Sequence, residues 1–341
     1  MTTRRRFLAF AAAAIAAPAV RAQARVMRYA DMHSHAGLKQ GYSLRAAMER
    51  NGLLVIAEKV IPDGLLTRLM GNRLGSFREA APGELRRNFE GGFASRRERA
   101  RREGLVEITS PEVLDRVLAE RTPAMVLASE GADFLDGDLG YLEQLRARGL
   151  AHLQLVHYYR QSIVGDLSTE APVHGGLTSF GKDLVRACNR LGILVDVAHC
   201  SSDGIAQVLE ISARPVIYSH GHVSVGLPRP SQGGIAARAI HAPLAKRLAD
   251  RGGVIGVWPN WYSYSNLDLY CDELARLAHT YGAEHVGIGS DIQGIVRSII
   301  PGYDEFGALP GMLAKRAMQE TEIDAVLGGN YIRVLRQALS G

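Results

Sequence analysis

The chain has 341 residues, of which 47% are hydrophobic and 22% are charged, values that are typical of a soluble globular protein. They exclude a disordered chain, a collagen-like repeat and a polytopic membrane protein, and an aromatic content of 6% supplies few stacking platforms for single-stranded nucleic acid. The formal net charge of +5 would suit a polyanionic partner, so the position of the basic residues matters.

Residues 1–24 are predicted to be a cleaved export signal. The arginines Arg4 to Arg6 precede Phe7-Leu8 and an alanine-rich run that is too short to span a membrane, and Ala22-Gln23-Ala24 offers a cleavage site. The Arg-Arg-x-Phe-Leu order is typical of the twin-arginine pathway, so we expect a periplasmic or otherwise exported protein; an ordinary secretory signal and an uncleaved anchor are the alternatives. Without the leader, 36 basic and 35 acidic residues remain, so the basic excess belongs largely to the signal.

Residues 25–341 are predicted to form one domain. Eight short apolar runs rich in β-branched residues recur along it, and helical patterns separate them. This alternation is typical of parallel strands with helices packed outside, and the count of eight predicts an α/β fold, a (β/α)8 TIM-type barrel. The predicted strands are 26–31, 53–60, 124–128, 152–156, 193–197, 215–218, 253–257 and 285–289.

One segment interrupts the regular alternation. Residues 64–121, between the second and third strands, are too long for one crossover helix, so we expect a long helical insertion there. Nine arginines lie between Arg73 and Arg102. A nucleic-acid-binding surface is one interpretation; we favour a solvated helix whose arginines pair with neighbouring glutamates.

Two helices have clear end signals. Thr178 is predicted to cap one that Gly192 ends, and Ser110 to cap another that begins with Pro111. A terminal helix is predicted over 326–339, with an interruption possible at its two adjacent glycines.

Side chains that can ligate a metal or move a proton follow six of the eight predicted strands. Because barrel enzymes place their active sites at the carboxyl ends of the strands, these side chains should converge on one rim. Imidazole nitrogen and carboxylate oxygen suit Zn²⁺ and other divalent transition metals, and burying such groups together is costly without a cation. The pattern predicts a metal centre on this rim, where His157 also lies, with ligands drawn from His33, His35, Glu130, His199, His220 and Asp291.

Four of the other histidines and the three cysteines are expected to be structural, and no role is predicted for His174 in its loop. His152, His241, His279 and His285 lie at strand starts or on helices, whereas His222 could share the rim with His220. No C-x-x-C pair occurs, so the three cysteines are expected to be buried free thiols with at most one disulfide: Cys188, Cys200 and Cys271.

Several segments resemble, in the same order, the membrane dipeptidase (renal dipeptidase-like) family of the amidohydrolase superfamily. The resemblance runs from about Ala30 to Leu335 and is carried by residues 129–131, 176–199, 215–220, 285–291 and 327–330. It implies a homodimeric enzyme that hydrolyses dipeptides with two Zn²⁺ ions, a metal-bridging hydroxide attacking the peptide carbonyl.

The resemblance also implies a role for each candidate residue. His157 would stabilise the oxyanion, Arg229 would bind the free carboxylate of the substrate, and Asp291 would carry the proton to the leaving amine. Five side chains would hold the two zinc ions, with the glutamate bridging them: His33, His35, Glu130, His199 and His220.

The first strand departs from the family pattern. His33-Ser34-His35 stands where the family usually has His-x-Asp, and a neutral imidazole in place of a carboxylate raises the net charge of the site by one unit. The physiological metal and the substrate therefore stay open. One alternative is another amidohydrolase-type enzyme that acts on a lactam, a cyclic amide or an ester. A second is a non-catalytic protein that binds a metal or a polyanion. For the leading hypothesis we expect short peptide substrates, no nucleic acid and no membrane span after cleavage.

Overall fold

The computed structural model describes residues 28–36, 42–71, 73–226, 234–294 and 296–341. The predicted leader 1–24 and Arg229 lie outside these ranges, so export stays a prediction that cell fractionation of the full chain can check. Within the described ranges the strands are β1 (Tyr29–Ser34), β2 (Leu53–Val60), β3 (Thr67–Met70), β4 (Arg73–Ser76), β5 (Val106–Glu107), β6 (Ala124–Glu130), β7 (Leu150–Gln154), β8 (Leu194–Asp196), β9 (Ile217–Gly221), β10 (Val223–Ser224), β11 (Ile240–His241), β12 (Val254–Val257) and β13 (Val286–Ile288).

Eight of these strands form a nearly closed parallel barrel, which confirms the predicted (β/α)8 fold. Their order is β1-β2-β6-β7-β8-β9-β12-β13, and each lies within or beside one of the eight apolar runs. The barrel closes just beyond the strands, where the Asp291 amide donates to the His33 carbonyl (2.9 Å) and the His35 amide donates to the Ile292 carbonyl (3.0 Å). Closure therefore brings two histidines of the first strand and the aspartate of the last strand to one point of the rim.

Helices cover the outer face of the barrel. The two helix-end predictions are confirmed: the Thr178 hydroxyl accepts from the Gly181 amide, and the Ser110 hydroxyl accepts from the Val113 amide. The described helices are α1 (Leu44–Asn51), α2 (Glu84–Glu103), α3 (Pro111–Glu120), α4 (Leu139–Ala147), α5 (Ser179–Leu191), α6 (Ser202–Ile211), α7 (Ala242–Asp250), α8 (Leu267–Tyr281), α9 (Leu309–Ala314), α10 (Glu320–Asp324) and α11 (Asn330–Leu339).

The insertion after β2 contains the long helix α2, but it begins with the antiparallel hairpin β3–β4, which the sequence did not predict. One face of α2 buries Phe89 and Phe93, and the Phe89 ring stacks on Phe134 with 3.8 Å between centroids. Its arginines lie among acidic partners, as in the ion pair of Arg97 with Glu107 at 3.1 Å. Most arginines of α2 have an acidic neighbour in this way, which fits the interpretation as a solvated helix.

The terminal helix is interrupted where its glycines occur. A π-helical turn over Ala325–Gly329 separates α10 from α11, and a Cβ at Gly328 would lie 2.4 Å from the Ala30 amide nitrogen. Only glycine allows this close approach to the first strand. The cysteines are all buried and free, as expected. Among the described residues, no helix combines the length and the apolar character that crossing a membrane requires.

Candidate metal centre

The structure brings every described candidate residue to the carboxyl-terminal rim of the barrel. His33 and His35 end the first strand and Glu130 ends β6. The remaining four follow the later strands or end them, and all seven are at least 92% buried: His33, His35, Glu130, His157, His199, His220 and Asp291. The predicted convergence at the rim is therefore present, and the side chains come from six of the eight barrel strands, as the sequence pattern indicated.

Two pairs of imidazoles face the Glu130 carboxylate. The Nε2 atoms of His33 and His35 lie 3.3 Å apart, and those of His199 and His220 also lie 3.3 Å apart. Glu130 Oε2 lies 3.1 Å from His35 Nε2, whereas Oε1 lies 3.3 Å from His199 Nε2 and 3.4 Å from His220 Nε2. Oε1 also lies 3.4 Å from His33 Nε2, so this oxygen is surrounded by three of the four imidazoles and Oε2 faces the fourth. The carboxylate thus lies between the two pairs, where two ions could share it.

The donor set fits a divalent cation. Two imidazole nitrogens 3.3 Å apart can hold at most one proton between them, so at least one nitrogen in each pair is unprotonated and offers a lone pair. Burial lowers the pKa of His35, but hydrogen bonds to Asp291 and Glu130 outweigh burial and raise that pKa to about 10, so the carboxylates favour a positive charge here. Burial and nearby cations hold the pKa values of His199 and His220 well below the ordinary value, which keeps them neutral, the form that ligates metals.

The outer nitrogens of two of these histidines lie beside one hydroxyl group. Ser219 Oγ lies 3.1 Å from His33 Nδ1 and 2.9 Å from His220 Nδ1. Asp31 holds the turn below them, because one of its carboxylate oxygens accepts from the His33 amide (3.1 Å) and the Ser290 amide (3.0 Å). Contacts of this kind fix the orientation of rings that bind a metal. Because Ser219 contacts one histidine of each pair, it links the orientations of the two pairs.

His157 is held by a carboxylate that sequence reasoning missed. Its Nδ1 lies 2.7 Å from Asp63 Oδ1, and its Nε2 lies 3.4 Å from Glu130 Oε1. Burial lowers the pKa of His157, but the charges of Asp63 and Glu130 outweigh it and raise that pKa. Asp63 follows the end of β2 by three residues, in a turn rather than on the strand, so the strand-end pattern did not include it. Asp63 therefore orients His157 so that its Nε2 can donate a proton toward the centre.

Two site residues have left-handed backbone conformations. The φ angle is 68° at His199 and 49° at Asp291, a region that residues other than glycine seldom adopt. Such strain costs of order 1–3 kcal/mol and concentrates at functional sites. Each residue lies three positions after the end of a barrel strand, β8 or β13, where the conformation turns its side chain toward the centre.

Arg238 is the functional candidate that the sequence did not reveal. Its side chain lines the cavity above the metal centre, donates to the Tyr158 hydroxyl (3.2 Å) and the His220 carbonyl (3.3 Å), and is 3% exposed. Its Nε has no hydrogen-bond partner among the described residues, and no carboxylate in those ranges pairs with it. A solitary arginine in the apolar segment 235–240 was the available signal. A buried, unpaired guanidinium beside the centre suits an anionic ligand group.

An outer cavity of about 620 Å³ opens next to the centre. Tyr158, Arg238 and Trp258 line both cavities. Leu69 and Leu74 of the hairpin β3–β4 form part of the outer wall, so the insertion after β2 shapes the approach to the site.

A buried cluster of imidazole and carboxylate groups at the carboxyl-terminal rim of a (β/α)8 barrel defines a metal-binding barrel of the amidohydrolase type. Within that class, the chain belongs to the membrane dipeptidase family (peptidase family M19), whose model matches residues 92–340. The resemblance inferred from the strand-end motifs is thereby confirmed.

Curated relatives match a part of the chain. It is 27% identical over 223 residues to dipeptidase tcpJ of Claviceps purpurea, a match that covers 63% of this chain and 51% of that protein. It is 29% identical over 250 residues to human dipeptidase 3, covering 67% of this chain and 47% of that protein. The chain thus spans about half the length of the curated relatives it matches.

Solved structures match more of the chain and show the fold. An amidohydrolase from Pseudomonas aeruginosa is 23% identical with a TM-score of 0.74, and the match covers 92% of this chain and 97% of that one. A metallopeptidase from Rhodobacter sphaeroides, solved with a phosphinate mimic of the dipeptide L-Ala-D-Ala, is 17% identical with a TM-score of 0.75, covering 92% and 99%.

Proposed function

We propose that the protein is a zinc-dependent dipeptidase with two metal ions. The observation that carries the proposal is the convergence of two histidine pairs on Glu130, with Asp291 and His157 beside them. His33 and His35 would hold one ion, and His199 and His220 the second. Family membership and the dipeptide mimic bound by the similar Rhodobacter sphaeroides enzyme support a dipeptide substrate.

Each neighbouring side chain has a distinct task in this proposal. Bound zinc lowers the pKa of water to about 7 and so supplies a nucleophile at neutral pH. His157, held by Asp63, donates to the carbonyl oxygen of the scissile peptide bond, where negative charge develops. Asp291 takes a proton from the attacking water and passes it to the leaving amine. Arg238 binds the free carboxylate at the end of the substrate, so hydrolysis is confined to very short peptides.

The test uses residues 25–341 purified with their metal. Metal content by mass spectrometry and turnover of a broad dipeptide panel are measured on the same sample, beside lactam, cyclic amide and ester substrates. We expect about two zinc ions per chain and hydrolysis of dipeptides. A protein that holds metal but hydrolyses only the other substrates would contradict the proposal and favour the alternative that His33-Ser34-His35 raises.

Arg238→Ala is expected to raise the KM for dipeptides by about 10- to 100-fold, because a hydrogen-bonded charged pair contributes about 1.5–3 kcal/mol. Arg238→Lys should restore part of this loss, since it keeps the charge but not the planar fork. KM and kcat are measured on dipeptides and on substrates that lack the free carboxylate.

Arg229→Ala is the paired variant, because the sequence alone favoured that arginine. If KM rises in Arg229→Ala but not in Arg238→Ala, then Arg229 rather than Arg238 binds the free carboxylate of the substrate. Metal content is checked in both proteins, since the Arg238 guanidinium also lies 5.0 Å from the centroid of the Trp258 ring and its removal leaves space in the cavity wall.

A further inference from the structure

Lys59 is a completely buried lysine inside the barrel, outside the proposed ligand set. It pairs in register with Ala128 of β6, two residues before Glu130, so it lies one layer of side chains below the metal centre. Its Nζ donates to Asp196 Oδ2 at 2.9 Å and lies 2.9 Å from His152 Nε2. A lysine is seldom buried without a specific partner, so the ion pair needs an explanation.

The other oxygen of Asp196 holds the two strand ends that carry one histidine pair. Asp196 Oδ1 accepts from the Ala198 amide at 3.0 Å and from the Ser219 amide at 3.1 Å. These amides belong to the residues directly before His199 and His220. The ladder between β8 and β9 consists of a single residue pair, Asp196 with Ile217, so the carboxylate supplies hydrogen bonds that the sheet lacks there.

Within the ranges that the structure describes, Lys59 is the one cation that contacts the Asp196 side chain. His152 lies 3.2 Å from Asp196 Oδ2, and its outer nitrogen Nδ1 lies 3.2 Å from the Tyr331 hydroxyl. Burial and the charge of Lys59 hold the pKa of His152 down to about 3, so this histidine is neutral. The negative charge of Asp196 is therefore balanced by Lys59, and a balanced, fixed carboxylate can hold two backbone amides in place.

We propose that Lys59 is a positioning residue that sets the separation of His199 and His220 through Asp196. It would fix the geometry of the second ion's ligands without touching metal or substrate. The inference extends the proposed two-metal site, but it depends on metal binding rather than on dipeptide hydrolysis.

The test is a metal titration of the purified protein with Co²⁺ and Zn²⁺, followed by the Co²⁺ absorption spectrum. Lys59→Met keeps the length of the side chain and removes its charge. We expect the affinity for the ion assigned to His199 and His220 to fall about 10- to 100-fold, as is typical when a group that supports a ligand is removed. The affinity for the ion assigned to His33 and His35 should not change. His35→Ala and His220→Ala serve as references for each half of the centre, and the Lys59→Met spectrum should match that of His220→Ala.

Two further variants separate positioning from general stability. Tyr331→Phe removes a buried hydroxyl from the far side of His152 and should leave both affinities unchanged. The double variant Lys59→Met/Asp196→Asn contains no unpaired buried charge, so it should fold even where the single variant does not, and it should show the same selective loss. Unchanged affinities in a folded Lys59→Met or double variant, or an equal loss of both ions, would overturn the inference. If the protein hydrolyses no dipeptide but Lys59→Met still loses affinity for one ion only, the inference about Lys59 stands and the proposed function is wrong.

Discussion

Substitution of Glu130 by glutamine is expected to reduce kcat by on the order of 10³-fold and to remove at least one metal ion. Glutamine keeps the shape of the side chain but loses the negative charge that faces both histidine pairs, at 3.1 Å from His35 and 3.3 Å from His199. Lewis-acid catalysis by a metal provides several kcal/mol, and each 1.36 kcal/mol corresponds to a tenfold change in rate. Metal content and kcat are measured on the same preparation.

Glu143→Gln provides the matched control, because this glutamate lies exposed on α4. It should keep the metal content and the turnover of the unmodified protein. If Glu130→Gln retained two ions and full activity, the carboxylate would not be the group that joins the two halves of the centre, and the two-metal proposal would lose its bridging residue.

The barrel could be predicted from the sequence because a parallel strand buried on both faces has a continuous apolar pattern. The run at 53–60 coincides with β2, whereas the run predicted at 152–156 begins two residues after the observed start, Leu150. The hairpin β3–β4 was missed, because it stands away from the core: Leu69 is 69% exposed and offers no alternating apolar face. A hairpin that buries little apolar surface shows little alternation of apolar and polar residues in its sequence, so the sequence pattern does not predict it.

The site was predicted to the extent that its residues end strands. His33, Glu130 and His220 are such residues, and the barrel brings them together whatever the loops do. Arg238 reaches the site from a segment 18 positions after His220 that has no regular pattern, so its burial depends on the path of the chain. Lys59 was within a predicted strand, but only the register of β2 against β6 shows that it faces the interior below Glu130.

Asp291→Asn is expected to lower kcat by about 10²- to 10⁴-fold, the range for loss of a positioned acid–base group. The φ angle of 49° at this residue makes asparagine the appropriate substitute, because asparagine tolerates the left-handed region and alanine does not. The amide of residue 291 should still donate to the His33 carbonyl, so the variant changes the carboxylate and leaves the closure of the barrel intact.

The metal content of the Asp291→Asn protein distinguishes two roles for the carboxylate. Asp291 Oδ1 lies 3.3 Å from His35 Nε2 and 3.8 Å from His33 Nε2, close enough to serve as a third ligand of that pair as well as a proton carrier. A slow variant that keeps two ions identifies a proton carrier, whereas loss of one ion identifies a ligand. Asp136→Asn is the control, since Asp136 is exposed and has a φ angle of 52°. Full activity with full metal content in Asp291→Asn would contradict both roles, and the proton would then have to reach the leaving amine through His157.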